Sequence, residues 1–169
     1  GTPIPEWFRQ IDEVDISKFG KQYKITDYGV VNDGNLHTKE LQALIDKIAA
    51  EGGGVVVVPQ GTFKTGALFF KQGVHLHILE GGTLMGSDDC SDFPIIKTRI
   101  EGETCLYYSA LINADGIDGF TISGKGTIDG NAVKIKWDKA TGFYDHEPPG
   151  ATYSSETGAV KWDLDPVGT

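Results

Sequence analysis

Hydrophobic positions along this chain follow two periods, one after the other. Residues 1–24 show neither and form a mixed leader, with Trp7 and Phe8 as candidate anchors. "ITDYGVVNDG" from Ile25 begins as a short strand and ends in an Asn-Asp-Gly turn. In "HTKELQALIDKIAAEGGG", Leu41, Leu44, Ile45 and Ile48 fall on one stripe at helical spacing, which predicts an amphipathic helix over 38–50. Asn35, His37 and Thr38 are the candidates to cap its start. Gly52 stands where a left-handed residue is wanted past its end. After Gly54 the helical period vanishes, and "VVVVP" reads as a β-branched strand bounded by glycine and proline.

From here the sequence repeats. Val55-Val-Val57-Val-Pro-Gln-Gly61-Thr62-Phe63 aligns with Leu76-His-Ile78-Leu-Glu-Gly-Gly82-Thr83-Leu84 at an offset of 21. The latter aligns with Phe120-Thr-Ile122-Ser-Gly-Lys-Gly126-Thr127-Ile128 at an offset of 44, about twice as far. Each copy sets two apolar residues two apart, on one face of a strand, then bends at Gly-Thr into a second strand. One such unit cannot bury its own inner face, but stacking the next on it does. The expected fold is therefore all-β: a right-handed parallel β-helix with coils of about 21 to 22 residues. In it, Val57, Ile78 and Ile122 share one interior. The helix then serves as a lid on the N-terminal end, covering strand edges that would otherwise pair with other chains.

Two segments break the pattern. Residues 87–107, "SDDCSDFPIIKTRIEGETCLY", occupy the place of a coil but read as an irregular excursion, and such excursions often build binding surfaces. Residues 132–169 are polar and turn-rich, with Pro148-Pro149, and read as an irregular loop or tail. The predicted organisation is thus a leader over 1–24, a cap helix with first coils over 25–131, and a tail over 132–169.

Composition narrows the options. Of 169 residues 23 are glycine, roughly double the usual share, which suits many tight turns between short strands. The net charge of −9, without a Lys/Arg stripe, makes nucleic acid a poor partner. No apolar stretch approaches the roughly 20 residues that span a bilayer, so no membrane partner is expected. The opening "GTPIPEWF" has neither n-region nor h-region, and a leader is expected to have been removed. Cys90 and Cys105 are too sparse for a zinc site. Paired, they would add about 3 kcal/mol in the chain-entropy picture; two buried free thiols are the alternative.

The order of "ITDYGVVNDG", the helix, "EGGGVVVVPQGTFKTGALFFKQGVHLHILEGGTLMGS" and "SALINADGIDGFTISGKGTIDGN" resembles the N-terminal part of glycoside hydrolase family 28, the pectin-degrading polygalacturonases and rhamnogalacturonases. The resemblance covers roughly residues 25–131. Its first half is shared with other pectate-lyase-like β-helices, including tailspikes. The runs at 84–94 and 124–131 are closer to the hydrolases. The resemblance implies inverting hydrolysis of a galacturonosyl bond, with one carboxylic acid protonating the leaving oxygen and opposed carboxylates activating water. It also implies a pectic polysaccharide as partner, a secreted or periplasmic location and no cofactor. The family's Asn-Thr-Asp, Asp-Asp, Gly-His-Gly and Arg-x-Lys motifs follow the "GTIDGN" coil, and none of them follows Asn131 in this sequence. The 169 residues are therefore expected to be inactive alone and truncated before the catalytic coils. The last coil is expected to be covered by the tail or by a second copy. The alternatives are a non-catalytic tailspike-like carbohydrate-binding module and a polysaccharide lyase, the latter lacking clustered calcium ligands.

No catalytic or metal-binding residue is assigned. Asp88-Asp89 point to opposite faces if extended, Asn113-Ala-Asp115 suits a turn, and His75 and His77 suit exterior sheet positions without a third ligand. Substrate contact falls to five candidates in the tail. Lys134 and Lys136 share one face and can hold a carboxylate, though without arginine's fork. Asp145-His146 has the chemistry of an oriented base, beside two prolines. Trp137 and Tyr144 can stack on a sugar ring or anchor the tail. The acidic surface does not exclude an acidic polymer, since repulsion is screened beyond about 8–10 Å.

Overall fold

The computed structural model describes residues 14–100 and 102–131 and, beyond them, the backbone of four short strands. In chain order the elements are β1 (Gln22–Lys24), α1 (Thr38–Ala50), β2 (Gly54–Val58), β3 (Gly61–Thr65), β4 (Leu68–Phe69), β5 (Val74–Ile78) and β6 (Gly82–Gly86). They continue with β7 (Ile95–Ile100), β8 (Glu103–Tyr108), β9 (Ile112–Asn113), β10 (Ile122–Gly124) and β11 (Thr127–Asp129). The later strands are β12 (Trp137–Asp138), β13 (Phe143–Tyr144), β14 (Ala151–Tyr153) and β15 (Val160–Trp162). The chain is mostly β with one α-helix among the described residues.

Three parallel ladders carry the structure, in the orders β1-β2-β5-β10, β3-β6-β11 and β4-β9. β2, β3 and β4 are consecutive in the chain, yet each lies in a different ladder and finds its partner in β5, β6 and β9. The Gly-Thr bends align as the sequence predicts: Gly61 lies opposite Gly82, Thr62 opposite Thr83, and Thr83 opposite Thr127.

The strands before those bends do not align as expected. Val56, not Val55, lies opposite Leu76, and Val58, not Val57, opposite Ile78. Ile122 lies opposite Leu76 rather than Ile78. The cause is unequal bends. Pro59-Gln60 separate β2 from Gly61, Leu79-Glu80-Gly81 separate β5 from Gly82, and Lys125 alone separates Gly124 from Gly126. A fixed offset therefore puts the wrong face inward. Val56, Val58, Leu76, Ile78, Phe63 and Leu84 share the buried cluster, while Val57 is buried on the other face, opposite His77. Ile122, expected inside, is 46% exposed on edge strand β10.

Helix α1 spans the predicted residues, and its four-residue stripe is buried against this cluster. Each such side chain contributes roughly 1.5–3 kcal/mol relative to exposure. Past the end, Gly52 is left-handed (φ 97°), and the Gly53 N–H returns to the Ile48 carbonyl at 2.9 Å. At the start, none of the expected side-chain caps forms. His37 holds the cap position, but its Nε2 pairs with Asp33 Oδ1 at 2.9 Å. The Thr38 hydroxyl accepts instead from the Gly66 N–H at 2.7 Å, tying the helix to the turn before β4.

The excursion is also ordered differently from the expectation. After a 3₁₀ turn at Cys90–Asp92, β7 and β8 form an antiparallel hairpin registered from Ile95 opposite Tyr108 to Ile100 opposite Glu103. Cys90 and Cys105 are unpaired and half-buried. In the segment beyond residue 131, β12 pairs with β13 and β14 with β15, both antiparallel.

Candidate functional site

A cleft of about 860 Å³ opens between the hairpin and the third ladder. One wall is the end of β4 and the residues after it: the half-buried Phe69, the buried Phe70 and Lys71. Helix α1 fixes that wall, because the Gln42 side chain accepts from the Phe69 N–H at 2.9 Å and donates to the Phe69 carbonyl at 3.0 Å. Behind it, Phe70 packs on Phe120 with ring centres 4.8 Å apart. The floor is Ile112, Asn113, Ala114 and Asp115. Asn113 is committed to structure: it accepts from the Ala110 N–H at 3.0 Å and donates to the carbonyls of Leu68 and Ala110.

The opposite wall is the hairpin, through Ile96, Lys97, Thr98, Arg99 and Thr104. It is anchored at its base by the Ser109 N–H to the Pro94 carbonyl at 2.9 Å and the Ala67 N–H to the Asp92 carbonyl at 3.2 Å. Lys97 and Arg99 are two apart, and Arg99 is registered opposite Thr104, so these three residues share one face of the ribbon. Arg99 Nε donates to the Gly102 carbonyl at 2.9 Å, and its guanidinium has no ion pair among the described residues. Lys71 is held by Asp46 at 2.8 Å, whereas Lys97 has no ion pair among the described residues.

The chemistry of these walls suits binding. Three cations face one lining carboxylate, Asp115, in a chain whose net charge is −9. Phe69 adds an apolar surface, and Thr98 and Thr104 add hydroxyls. Inverting hydrolysis needs two opposed carboxyl groups, and the described lining residues supply one.

The residues singled out from sequence fall elsewhere. Lys134, Lys136 and His146 lie outside the described residues. Trp137 and Tyr144 are backbone partners across β12 and β13, and their side chains likewise lie outside the description. Asp88 pairs with Lys64 at 2.6 Å, whose hydrogen bond holds the Asp88 carboxyl below its usual range. Asp89 accepts from the Ser91 N–H at 2.8 Å and caps the 3₁₀ turn. Lys97 and Arg99 were missed, although they carry the same two-apart spacing of cations that drew attention to Lys134 and Lys136. An irregular reading of 87–107 hid the common face.

His75 and His77 project from β5 on the face away from the core cluster, as expected. The His75 ring stacks against Phe19 at 4.3 Å, and its Nδ1 is buried without a partner among the described residues. His77 Nδ1 lies 2.8 Å from Ser123 Oγ. Burial disfavours the charged ring and lowers both pKa values from the usual 6.5. The unfolded chain then binds protons below about pH 6.5 that the folded chain resists. Stability is expected to be full above that value and to fall as the pH drops toward the folded-state values. His75→Gln should flatten the response. Equal urea midpoints for the parent chain at about pH 7.5 and 5.5 would contradict this. Asp33 acts in a separate window. Hydrogen bonds from the Asn35 backbone, His37 and the Asn35 side chain bring it down to about 2, so its contribution is lost only in stronger acid.

The described residues, mostly β with one α-helix, match part of the fold of exopolygalacturonases of known structure. The chain is 37% identical over 123 residues to the exo-poly-alpha-D-galacturonosidase of Dickeya chrysanthemi, matching 68% of this chain and 20% of that protein. It is 31% identical over 116 residues to a "Probable polygalacturonase" of Vitis vinifera, matching 63% of this chain and 24% of that protein. Among solved structures, the hyperthermoactive exopolygalacturonase of Thermotoga maritima superposes with a TM-score of 0.64 at 29% identity, over 75% of this chain and 28% of that one. The family 28 exopolygalacturonase of Yersinia enterocolitica does so at 0.57 and 29%, over 73% of this chain and 24% of that one. No family model matches. The chain carries a family 28 glycoside hydrolase-like N-terminal part. It spans about a fifth to a quarter of the length of these curated relatives.

Proposed function

We propose that this chain is the N-terminal part of a pectin-degrading glycoside hydrolase built on a right-handed parallel β-helix, with α1 covering the first coil. Hydrolysis of galacturonosyl linkages is carried by residues outside these 169, and the part described here supplies scaffold and one wall of the substrate path. The observation that carries this reading is the 37% identity to an exo-poly-alpha-D-galacturonosidase. Three parallel ladders entered in turn by consecutive strands support the β-helix. No helix among the described residues is long and apolar enough to cross a membrane. A polymeric substrate does not enter cells freely, so we place the protein in the secreted or periplasmic compartment, to be checked by cell fractionation.

Two experiments test the reading. In the reading frame downstream of Thr169, the motifs Asn-Thr-Asp, Asp-Asp, Gly-His-Gly and Arg-x-Lys are expected in that order; a frame without them would sink it. The purified 169-residue chain is expected to release no reducing ends from polygalacturonate. Release above a boiled control would show that catalytic groups lie within these residues after all.

A further inference from the structure

Asp-Gly steps occur four times in the chain, at Asp33-Gly34, Asp115-Gly116, Asp118-Gly119 and Asp129-Gly130. Such a step is chemically weak because glycine carries no Cβ, so its backbone nitrogen can approach the aspartate side chain unhindered. Whether it reacts depends on how firmly the fold holds it. Asp33 is held by its carboxylate, which accepts from the Asn35 N–H at 2.9 Å and the Asn35 side chain at 2.8 Å and pairs with His37. Asp118 is held by its backbone: the Gln72 side chain accepts from its N–H and donates to its carbonyl, both at 2.9 Å. Asp129 lies in β11 opposite Met85, and its carboxylate accepts from the Asn131 N–H at 2.8 Å. Asp115 lacks any such hold. Its carboxylate and the Gly116 N–H have no hydrogen-bond partner among the described residues, and both residues are exposed. Nothing lies within 4 Å of where a Gly116 Cβ would stand.

We propose that Asp115 is a modification site, where the main chain rearranges spontaneously from aspartate to isoaspartate. The Gly116 nitrogen attacks Cγ of the protonated Asp115 carboxyl. A C–N bond forms, the C–OH bond breaks, and the hydroxyl leaves as water with the amide proton. Water then opens the resulting cyclic imide at either carbonyl. Addition at Cγ restores aspartate, whereas addition at the backbone carbonyl leaves the chain running through the side-chain carbon. One water is lost and one gained, so the product has the mass of the parent, and no oxidant, metal or enzyme is required. Ring closure needs the backbone to rotate until the nitrogen faces Cγ. At the other three steps that rotation must first break the hydrogen bonds that hold them, while the loop between β9 and β10 leaves Asp115 free to turn. Because Asp115 lies in the cleft floor, the change lengthens the main chain there by one carbon and moves a carboxylate.

The test ages the purified chain at neutral pH and body temperature. Isoaspartate is mapped by peptide mass spectrometry with fragmentation that distinguishes the two isomers. Conversion at Asp115 is expected to run about tenfold or more ahead of Asp33, Asp118 and Asp129. In urea, where the hydrogen bonds of the fold are gone, all the steps should convert at similar rates. Gln72→Ala releases Asp118 and should raise its conversion toward that of Asp115, with Asp115 itself unchanged. Equal conversion at every step of the folded chain, or slower conversion at Asp115 than at any other, would overturn the proposal. Selectivity of the same size in urea would place its cause in the flanking sequence and overturn it as well. So would an Asp118 that converts no faster in folded Gln72→Ala than in the parent chain.

Discussion

Phe63→Ala is expected to destabilise the chain by about 3–5 kcal/mol, lowering its melting temperature by roughly 6–20 °C. Phe63 points inward from β3, is 1% exposed and lies opposite Leu84 on β6. It belongs to the cluster in which the ladders meet α1, with Leu41, Leu44, Ile45 and Ile48 on the helix side. The flanking strands are held in register by parallel pairing, which limits how far they can close on the space it leaves. The loss is then the transfer term plus a cavity term. Leu79→Ala is the control. It removes a residue of similar character that is 40% exposed in a bend and should cost about 0.5 kcal/mol or less. Similar melting of the two variants would mean that Phe63 does not sit in a shared interior.

How much of this was legible beforehand can be read from the same residues. The helix was legible because its period and length are both distinctive: four apolar residues at helical spacing, followed by three glycines. The Gly-Thr bends were legible because glycine stands at the same place in each copy, required by a left-handed backbone at Gly61 and by the close approach of neighbouring backbone at Gly82 and Gly126. Register within the strands was not. The bends hold two, three and one residues, and each change flips or shifts which β-branched side chain faces inward. In "VVVVP" every position is apolar, so alternation gives no sign of the inner face. Val55 and Val57 are buried outside the cluster, and nothing in their chemistry distinguishes them from Val56 and Val58.

The site was less legible than the fold, for a different reason. A cleft wall made by a hairpin depends on which segments approach one another, and Lys97 is brought opposite Phe69 across the cleft by pairings that run through Asn113 and Ser109. Local pattern did contain a part of it. "IIKTRI" is β-branched and places its cations two apart, which defines a charged strand face once the segment is taken as a strand. The preceding "SDDCSD" drew the segment toward a loop reading.

Gly124→Ala is expected to detach β10 and β11 while leaving the rest folded. The shortest bend presses the chain hardest against its neighbour. A Cβ at Gly124 would stand 1.9 Å from the Ile78 carbonyl oxygen, 2.7 Å from its carbon and 2.9 Å from its nitrogen. These are backbone atoms within a paired strand and cannot swing aside as a side chain would. The backbone at Gly124 also has φ 102°, which disfavours any L side chain. Relief requires breaking the pairing of β10 with β5 and the bond from the Gly126 N–H to the Ile78 carbonyl at 3.0 Å. Hydrogen exchange should therefore accelerate at the Gly126 and Leu76 amides, the latter held by the Thr121 carbonyl at 3.0 Å, but not at Val55, held by the Lys21 carbonyl at 2.9 Å. Gly116→Ala separates the two causes. It has a similar backbone, φ 66°, with nothing within 4 Å of the added Cβ, and should cost only the conformational part, about 1–2 kcal/mol. If both variants exchange alike, backbone strain alone is responsible and the contact with Ile78 is not what makes glycine necessary at this bend. If Gly124→Ala alone frees the Leu76 amide, the one-residue bend is what sets the register of the third copy.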